Sequence, residues 1–508
     1  MYTAEGFNSH YIRVSETIRK YDTLALVEFC LAYLHAPVKD QFQYLQRLPW
    51  LVLLLLKWTF LEKRAFKRGK KIPSLADFND LLQLMHDFGK KDISRLPDQY
   101  ENIRLFFRAM AYQQFIFQQP IRLTSIARQK FYFGSISPDH YIRKTFLSLV
   151  GIDIPVFLDL SQALFIKFFD EKDRRVSIDW FASIRGAFSD KEVALFLGAI
   201  SKSVNEMRSA LNARDKDNFD LGRPVRSPAE YWEQTPLVKF PLIKTGKSYV
   251  CVDYHVLSRC LEGYVYSRLR ENDAKVFMAN FGPLFENYVE RTIISTGLNF
   301  VSEFDIKNWY GHGSTTVDFV LEDADANIFI DAKGVEMSYQ GKSTPDSEEL
   351  AKWLETSALK AIKQAHGLIQ NIARVEVDQR LTLKKRNYLI AVTYSELYVG
   401  GGRTLAEAVG EARLGILTAA VAPENRIPLE NMFFMTIKEF DLLAEAVRKK
   451  EISLSEMLDY AVKAGEDPKT EKFEFLQHMY SAKIKITEPD YLVEEAVSSL
   501  KALAAHLT

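Results

Sequence analysis

Apolar positions through the first 230 residues recur at three- and four-residue intervals, as in residues 17–34, 75–88 and 190–211. That spacing predicts a series of amphipathic helices, many of them aromatic-rich like Tyr112-Gln113-Gln114-Phe115-Ile116-Phe117. The greasiest run, Leu48-Pro49-Trp50-Leu51-Val52-Leu53-Leu54-Leu55-Leu56, is broken by Pro49 and closed by Lys57. It falls short of the roughly 20 residues that a bilayer-spanning helix needs, so a buried core helix is expected. Two prolines and two arginines in Arg223-Pro224-Val225-Arg226-Ser227-Pro228 mark a short linking region. Residues 247–254 then read as a strand and 255–270 as a helix. No fixed-period repeat or low-complexity segment is present.

The pattern changes in the second half. Pro283 suits the first turn of a helix and Gly297 its stop. Between them Phe285, Val289 and Ile293 form a core-facing stripe, with Glu286 beside it and Glu290 one turn on as a solvated or salt-bridged neighbour. Residues 299–306 read as a first strand. Two runs of β-branched and aromatic residues, 315–321 and 327–333, flank an Asp/Asn/Ala stretch of turn composition and predict a hairpin. A helix over 357–365, a strand over 387–394 and another over 428–436 follow. Capping-box patterns at Thr436-Ile437-Lys438-Glu439 and Ser453-Leu454-Ser455-Glu456 predict a mostly helical tail, ending in an Ala/Leu-rich helix near 498–506.

Strand alternation gives the hairpin its chemistry. Phe329, Asp331 and Lys333 share one face, and Ile328, Ile330 and Ala332 the other. Asp318 on the first strand can therefore converge with Asp331 and Lys333, which are expected in a polar cleft rather than the core. Divalent-metal phosphodiester hydrolysis needs such a set: hard oxygen ligands for Mg2+ or Mn2+ and a cation near the attacking water. The order of helix with Glu286, strand, strand with Asp318 and strand with Asp331-Ala332-Lys333 resembles the PD-(D/E)xK nuclease superfamily. The resemblance covers residues 276–440, about a third of the chain, and departs from the superfamily's name in lacking a Pro before Asp318. It implies that Glu286, Asp318 and Asp331 hold the metal and that Lys333 positions or activates water. Gln364, with Lys360 one turn before it, matches the supporting helix residue.

The fold class expected is an α+β multidomain protein. It would comprise an all-helical sensing or regulatory region (1–230), a connecting strand and helix (231–275), a restriction-endonuclease-like core (276–440) and a helical tail (441–508). Such stand-alone nucleases resemble bacterial effectors of anti-phage defence, held off until a phage component binds. The partners implied are nucleic acid (DNA, or RNA such as tRNA) and a phage protein as activator, with oligomerisation left open. The rival expectation is a non-catalytic helical sensor or binding protein that keeps a nuclease-like fold.

Composition narrows this further. A chain 47% hydrophobic and 26% charged has ample material for a core, and its 66 basic and 66 acidic residues cancel. Nucleic-acid binding must then come from local patches. Lys63-Arg64-Ala65-Phe66-Lys67-Arg68-Gly69-Lys70-Lys71 is either a solvated helix end or a phosphate-binding patch. Lys384-Lys385-Arg386, Lys360, and Lys342 in the polar stretch 337–347 are the other candidate phosphate contacts. Gly400-Gly401-Gly402-Arg403 has neither GxGxxG nor Walker spacing and is expected as a turn. Cys30, Cys251 and Cys260 are too few and scattered for a disulfide framework or a zinc site, and suit a reducing cytoplasm. His255, His312 and His366 stand isolated. The amino terminus lacks a secretion signal, so a cytoplasmic protein without a membrane partner is expected.

Overall fold

The computed structural model describes residues 4–62, 70–92, 102–169, 173–220, 226, 228–374, 381–467, 470 and 472–506. These fall into two compact units. The first comprises Met1–Tyr100, Ala109–Asn272 and Glu495–Thr508; the second comprises Glu101–Arg108 and Asp273–Glu494.

In the first unit the greasy run becomes the helix Pro49–Leu61, with every residue but Trp50 buried. A helix apolar all round belongs in a core, and here Thr23–His35 and Leu75–Asp92 pack on it. Its one charge is neutralised in place: Lys57 Nζ lies 2.6 Å from Glu230 Oε1, which also accepts from Trp58 Nε1 at 3.0 Å. Among the described residues no single helix is long and apolar enough to cross a membrane.

The expectation of an all-helical first region is corrected. Strands β1 (Arg175–Ser177), β2 (Ser201–Ser203), β3 (Leu242–Thr245) and β4 (Ser248–Cys251) form a sheet in the order β1-β4-β3-β2. Strand β2 splits the 190–211 run into the helices Asp190–Ala199 and Val204–Asp220. Asp22 likewise divides 17–34, capping Thr23–His35 by accepting from Ala25 N at 2.9 Å. Three-residue strands reading Arg-Val-Ser and Ser-Lys-Ser carry no alternation by which to find them. Residues 231–272, expected as a connector, fall within the first unit. Most of the 223–228 link and of the 63–71 basic run lies outside the described residues; of the latter, Lys71 pairs with Asp77 at 2.9 Å.

The second unit is built on a five-stranded mixed sheet in the order β5-β6-β7-β8-β9. Its strands are β5 (Asn299–Ser302), β6 (Phe319–Asp323), β7 (Ala326–Lys333), β8 (Arg386–Thr393) and β9 (Met432–Thr436). Strands β5, β6 and β7 pair antiparallel, and β7, β8 and β9 parallel. The β6–β7 hairpin is the one the two apolar runs and the turn composition between them predict, turning at Ala324 with φ 50°. The helix Ala358–Arg374 lies on the crossover from β7 to β8, as a parallel pair requires.

The helix Ala274–Thr296 buries Phe281, Phe285, Val289 and Ile293 completely. It begins earlier than expected, at an Asp273 cap that accepts from Val276 N at 3.0 Å, so Pro283 is interior; Gly297 ends it at φ 74° as expected. Strand β5 is shorter than expected because Ser302 and Asp305 form a capping box that turns residues 303–310 into a helix. Both capping boxes read from the tail are present, at Ile437–Arg448 and Leu454–Ala464. The segment Glu101–Arg108 is built into this unit: Arg108 is buried, and its guanidinium donates to the main-chain oxygens of Leu397 (2.9 Å) and Lys342 (3.3 Å).

Candidate functional site

Asp318 sits immediately before β6. Its main-chain oxygen accepts from Glu303 N at 2.7 Å, and its Oδ2 accepts from Ala332 N at 2.6 Å. One residue thus ties the start of the 303–310 helix to β7. Asp331 on β7 is 0% exposed, and Lys333, two positions on, is buried beside it. Lys333 Nζ lies 2.5 Å from Asp331 Oδ2 and donates to Gln364 Oε1 at 2.9 Å. Gln364 Nε2 in turn donates to the Thr316 carbonyl at 2.7 Å, which fixes the amide's orientation. The expected alternation holds, but the expected polar cleft for Asp331 and Lys333 is corrected: both lie inside, as a paired ion couple.

Glu286 stands next to the buried Phe285 stripe, half-buried on the Ala274–Thr296 helix. Ligand oxygens of Glu286, Glu303 and Asp318 lie within 4.8 Å of one another. Glu303 was not anticipated from the sequence. The signal that could have found it is Ser302-Glu303-Phe304-Asp305, the capping box that ends β5 and starts a helix. Glu303 also pairs with Lys307 at 2.8 Å.

Crowded negative charge dominates the electrostatics. Burial, then the charges of Asp318, Glu303 and Glu290, push Glu286 up to about 7. Burial and the Asp331 charge push Asp318 up, against the pull of Lys333 and the Ala332 N–H. Burial pushes Asp331 up too, opposed by Lys333 and, more weakly, by Lys360. Beyond the Lys333 ammonium and the neighbouring Asp318 carboxyl, neither oxygen of Asp331 has a hydrogen-bond partner among the described residues. Hard oxygen donors, close-set and short of positive charge, fit a divalent cation of the Mg2+ or Mn2+ class.

The remaining candidates separate clearly. Lys360 is exposed one turn from Gln364, on the same helix. The stretch around Lys342 is no loose loop: it contains the helix Tyr339–Ser343, and Lys342 is buried with Nζ 2.9 Å from Glu336. Lys384, Lys385 and Arg386 are not brought to the site. Parallel register aligns Arg386 with Ala326 and Thr393 with Lys333, so the cluster enters β8 roughly 23 Å of strand away from Lys333. There Lys384 lies 3.6 Å from Glu322, and Arg386 pairs with Asp325 and Asp459. Cys30, Cys251 and Cys260 are buried, and burial pushes their thiols up. His366 is held inside by Ile362 O and Ile427 N. No family model, curated protein or solved structure matches the chain, so any functional reading stands on this geometry and on the sequence pattern.

Proposed function

We propose that the second unit is a metal-dependent nuclease of the PD-(D/E)xK kind, hydrolysing phosphodiester bonds of DNA or RNA. One observation carries the reading: three carboxylate oxygens within 4.8 Å of one another share Asp318 with the buried Asp331–Lys333 pair, and Gln364 braces that lysine. The order of helix, β5, β6 and β7 around it supports the reading, since the resemblance rests on a helix, a strand and a hairpin in that order.

Glu286, Glu303 and Asp318 would hold the ion, with Asp331 the fourth carboxylate beside them. A bound divalent ion supplies charge neutralisation on the scissile phosphate and a water of lowered pKa. Lys333 presents an ammonium at a fixed place, where it orients water and offsets charge developing on the phosphoryl oxygens. Gln364 is a positioning residue: it acts through Lys333, holding the ammonium by an amide that Thr316 locks. Lys360, exposed on the same helix, is the candidate contact for a flanking phosphate.

Incubation of the purified protein with plasmid DNA, single-stranded DNA and total RNA tests the reading, with Mg2+ or Mn2+ and with chelator. Metal-dependent cleavage is expected, falling by about a hundred-fold or more in Lys333→Ala. Calorimetric Mn2+ titration should show binding that Asp318→Asn abolishes; a folded wild-type protein that binds no Mn2+ would sink the proposal. The wider setting this reading proposes is an effector of anti-phage defence with a phage protein as trigger. Equal phage plating on cells expressing wild type and Lys333→Ala would count against it.

A further inference from the structure

The capping box that ends β5 also decides where Phe304 goes. Ser302 and Asp305 turn the chain out of the sheet and into the helix Glu303–Tyr310, in which Ile306 is the residue buried. Phe304 is left 70% exposed. Its neighbour Phe300 shows the contrast: that ring packs edge-on against Phe319 of β6, with centroids 5.9 Å apart. No aromatic ring or cation packs on Phe304 among the described residues. So large an apolar side chain held in water contributes little to folding.

Its place is fixed all the same. Glu303 N donates to Asp318 O at 2.7 Å, and Ser302 Oγ donates to Asp305 Oδ2 at 2.6 Å, so both flanks of Phe304 are tied down. Phe304 directly follows Glu303, whose carboxylate lies within 4.8 Å of those of Glu286 and Asp318. Consecutive Cα atoms are about 3.8 Å apart, and successive side chains diverge by about 100° around a helix. The ring therefore stands beside the carboxylates and faces away from them into solvent. Asn308, one turn on and exposed, sets an amide on the same face. The nearby Lys307 ammonium is taken up by Glu303 at 2.8 Å. This face thus offers a π surface and an amide, which suit a base better than a phosphate.

We propose that Phe304 is a stacking platform for an unpaired nucleobase flanking the scissile phosphate, so that the site takes single-stranded nucleic acid in preference to duplex. The inference rests on the nuclease reading, which brings a phosphate to the carboxylates. In a duplex each base is covered on both faces, and freeing one costs unpairing and unstacking. A single strand can turn a base onto the ring without that cost. Every base has a π face, so the platform is tolerant of sequence, and the Asn308 amide is placed to meet the base edge.

Fluorescence anisotropy of the full chain tests this, with labelled single-stranded DNA, single-stranded RNA and duplex DNA, and with Ca2+ replacing Mg2+ to hold back cleavage. A single strand of either kind should bind about ten-fold or more tighter than duplex, and Phe304→Ala should lose about ten-fold of that affinity. Phe304→Trp should keep it, whereas Phe304→Leu, apolar without a π face, should not. Because the ring is mostly exposed, Phe304→Ala should unfold at the wild-type urea midpoint, so lost binding reports a lost contact. An abasic nucleotide moved along the strand should weaken wild-type binding at one position and be silent there in Phe304→Ala. Duplex bound as tightly as single strand, or Phe304→Ala binding single strands as wild type does, would overturn the proposal. Single-strand binding through Phe304 without cleavage in Mg2+ or Mn2+ would instead remove hydrolysis and leave the platform standing.

Discussion

Lys333 is buried where a lone ammonium would be expensive, with Asp331 at 2.5 Å and Gln364 at 2.9 Å as its partners. Removing one partner of a buried ion pair typically costs about 3–5 kcal/mol, because the other charge is left stranded. Asp331→Ala should therefore lower stability as well as activity, seen as an earlier urea midpoint. A midpoint at or above wild type would mean that relief of the Asp318 repulsion outweighs the lost pair. Gln364→Ala should behave differently. It leaves the carboxylates intact, so Mn2+ affinity should hold while turnover falls by about ten-fold. Loss of Mn2+ binding in that variant would contradict its assignment as a brace for the lysine.

Three elements meet at the carboxylates: the Ala274–Thr296 helix with Glu286, the Glu303–Tyr310 helix, and the hairpin with Asp318. Their approach builds a pH dependence into the metal-free protein. Folding raises Glu286 from 4.5 to about 7. Below pH 4.5 the residue is protonated folded or unfolded. Between 4.5 and 7 the unfolded chain releases the proton first, so stability falls as pH rises through that window and stays low above it. Thermal unfolding in chelator should show a steeper loss from pH 5 to 8 in wild type than in Glu286→Gln. Mn2+ should restore more stability at pH 8 than at pH 5. Parallel curves for the two proteins would remove Glu286 from the cluster. The hairpin was legible because two β-branched and aromatic runs flank a stretch of turn composition, and the Phe285 stripe because a period of 3.6 survives in the sequence. Glu303 was not, because a capping box was read as continued strand. Lys384 to Arg386 were misplaced for another reason: adjacency to a strand does not say which of its ends faces the site. Pairing direction decides that, and it is a tertiary fact.

Over the whole molecule, 66 basic residues against 66 acidic leave no net charge to draw in a polyanion, so substrate grip depends on position. Alanine at Lys384, Lys385 and Arg386 together should leave the salt dependence of binding unchanged. Lys360→Ala should flatten the log–log slope by about 0.7–0.9, one phosphate contact. The reverse result would place the nucleic acid at the far end of the sheet. The first unit's role is testable by expression of residues 231–508. That piece lacks residues 101–108, so Leu397 and Lys342 lose the donors Arg108 gives them. Poor solubility is now expected, corrected when residues 101–230 are restored; a stable, soluble fragment would show the segment to be dispensable.

The placement of Arg108 also constrains the order of events during synthesis. Its segment leaves the ribosome long before residues 342 and 397, whose carbonyls it must meet. The first unit, for its part, includes residues from 495 onward. The second unit cannot close around Arg108 until residue 397 is out, and the first cannot finish until residues 495–508 follow, so the usual order of the amino-terminal domain completed first is closed to this chain. If the carboxylate site is a nuclease, translation alone delays its arming: Asp318, Asp331 and Lys333 emerge before β8 and β9, the strands that complete their sheet.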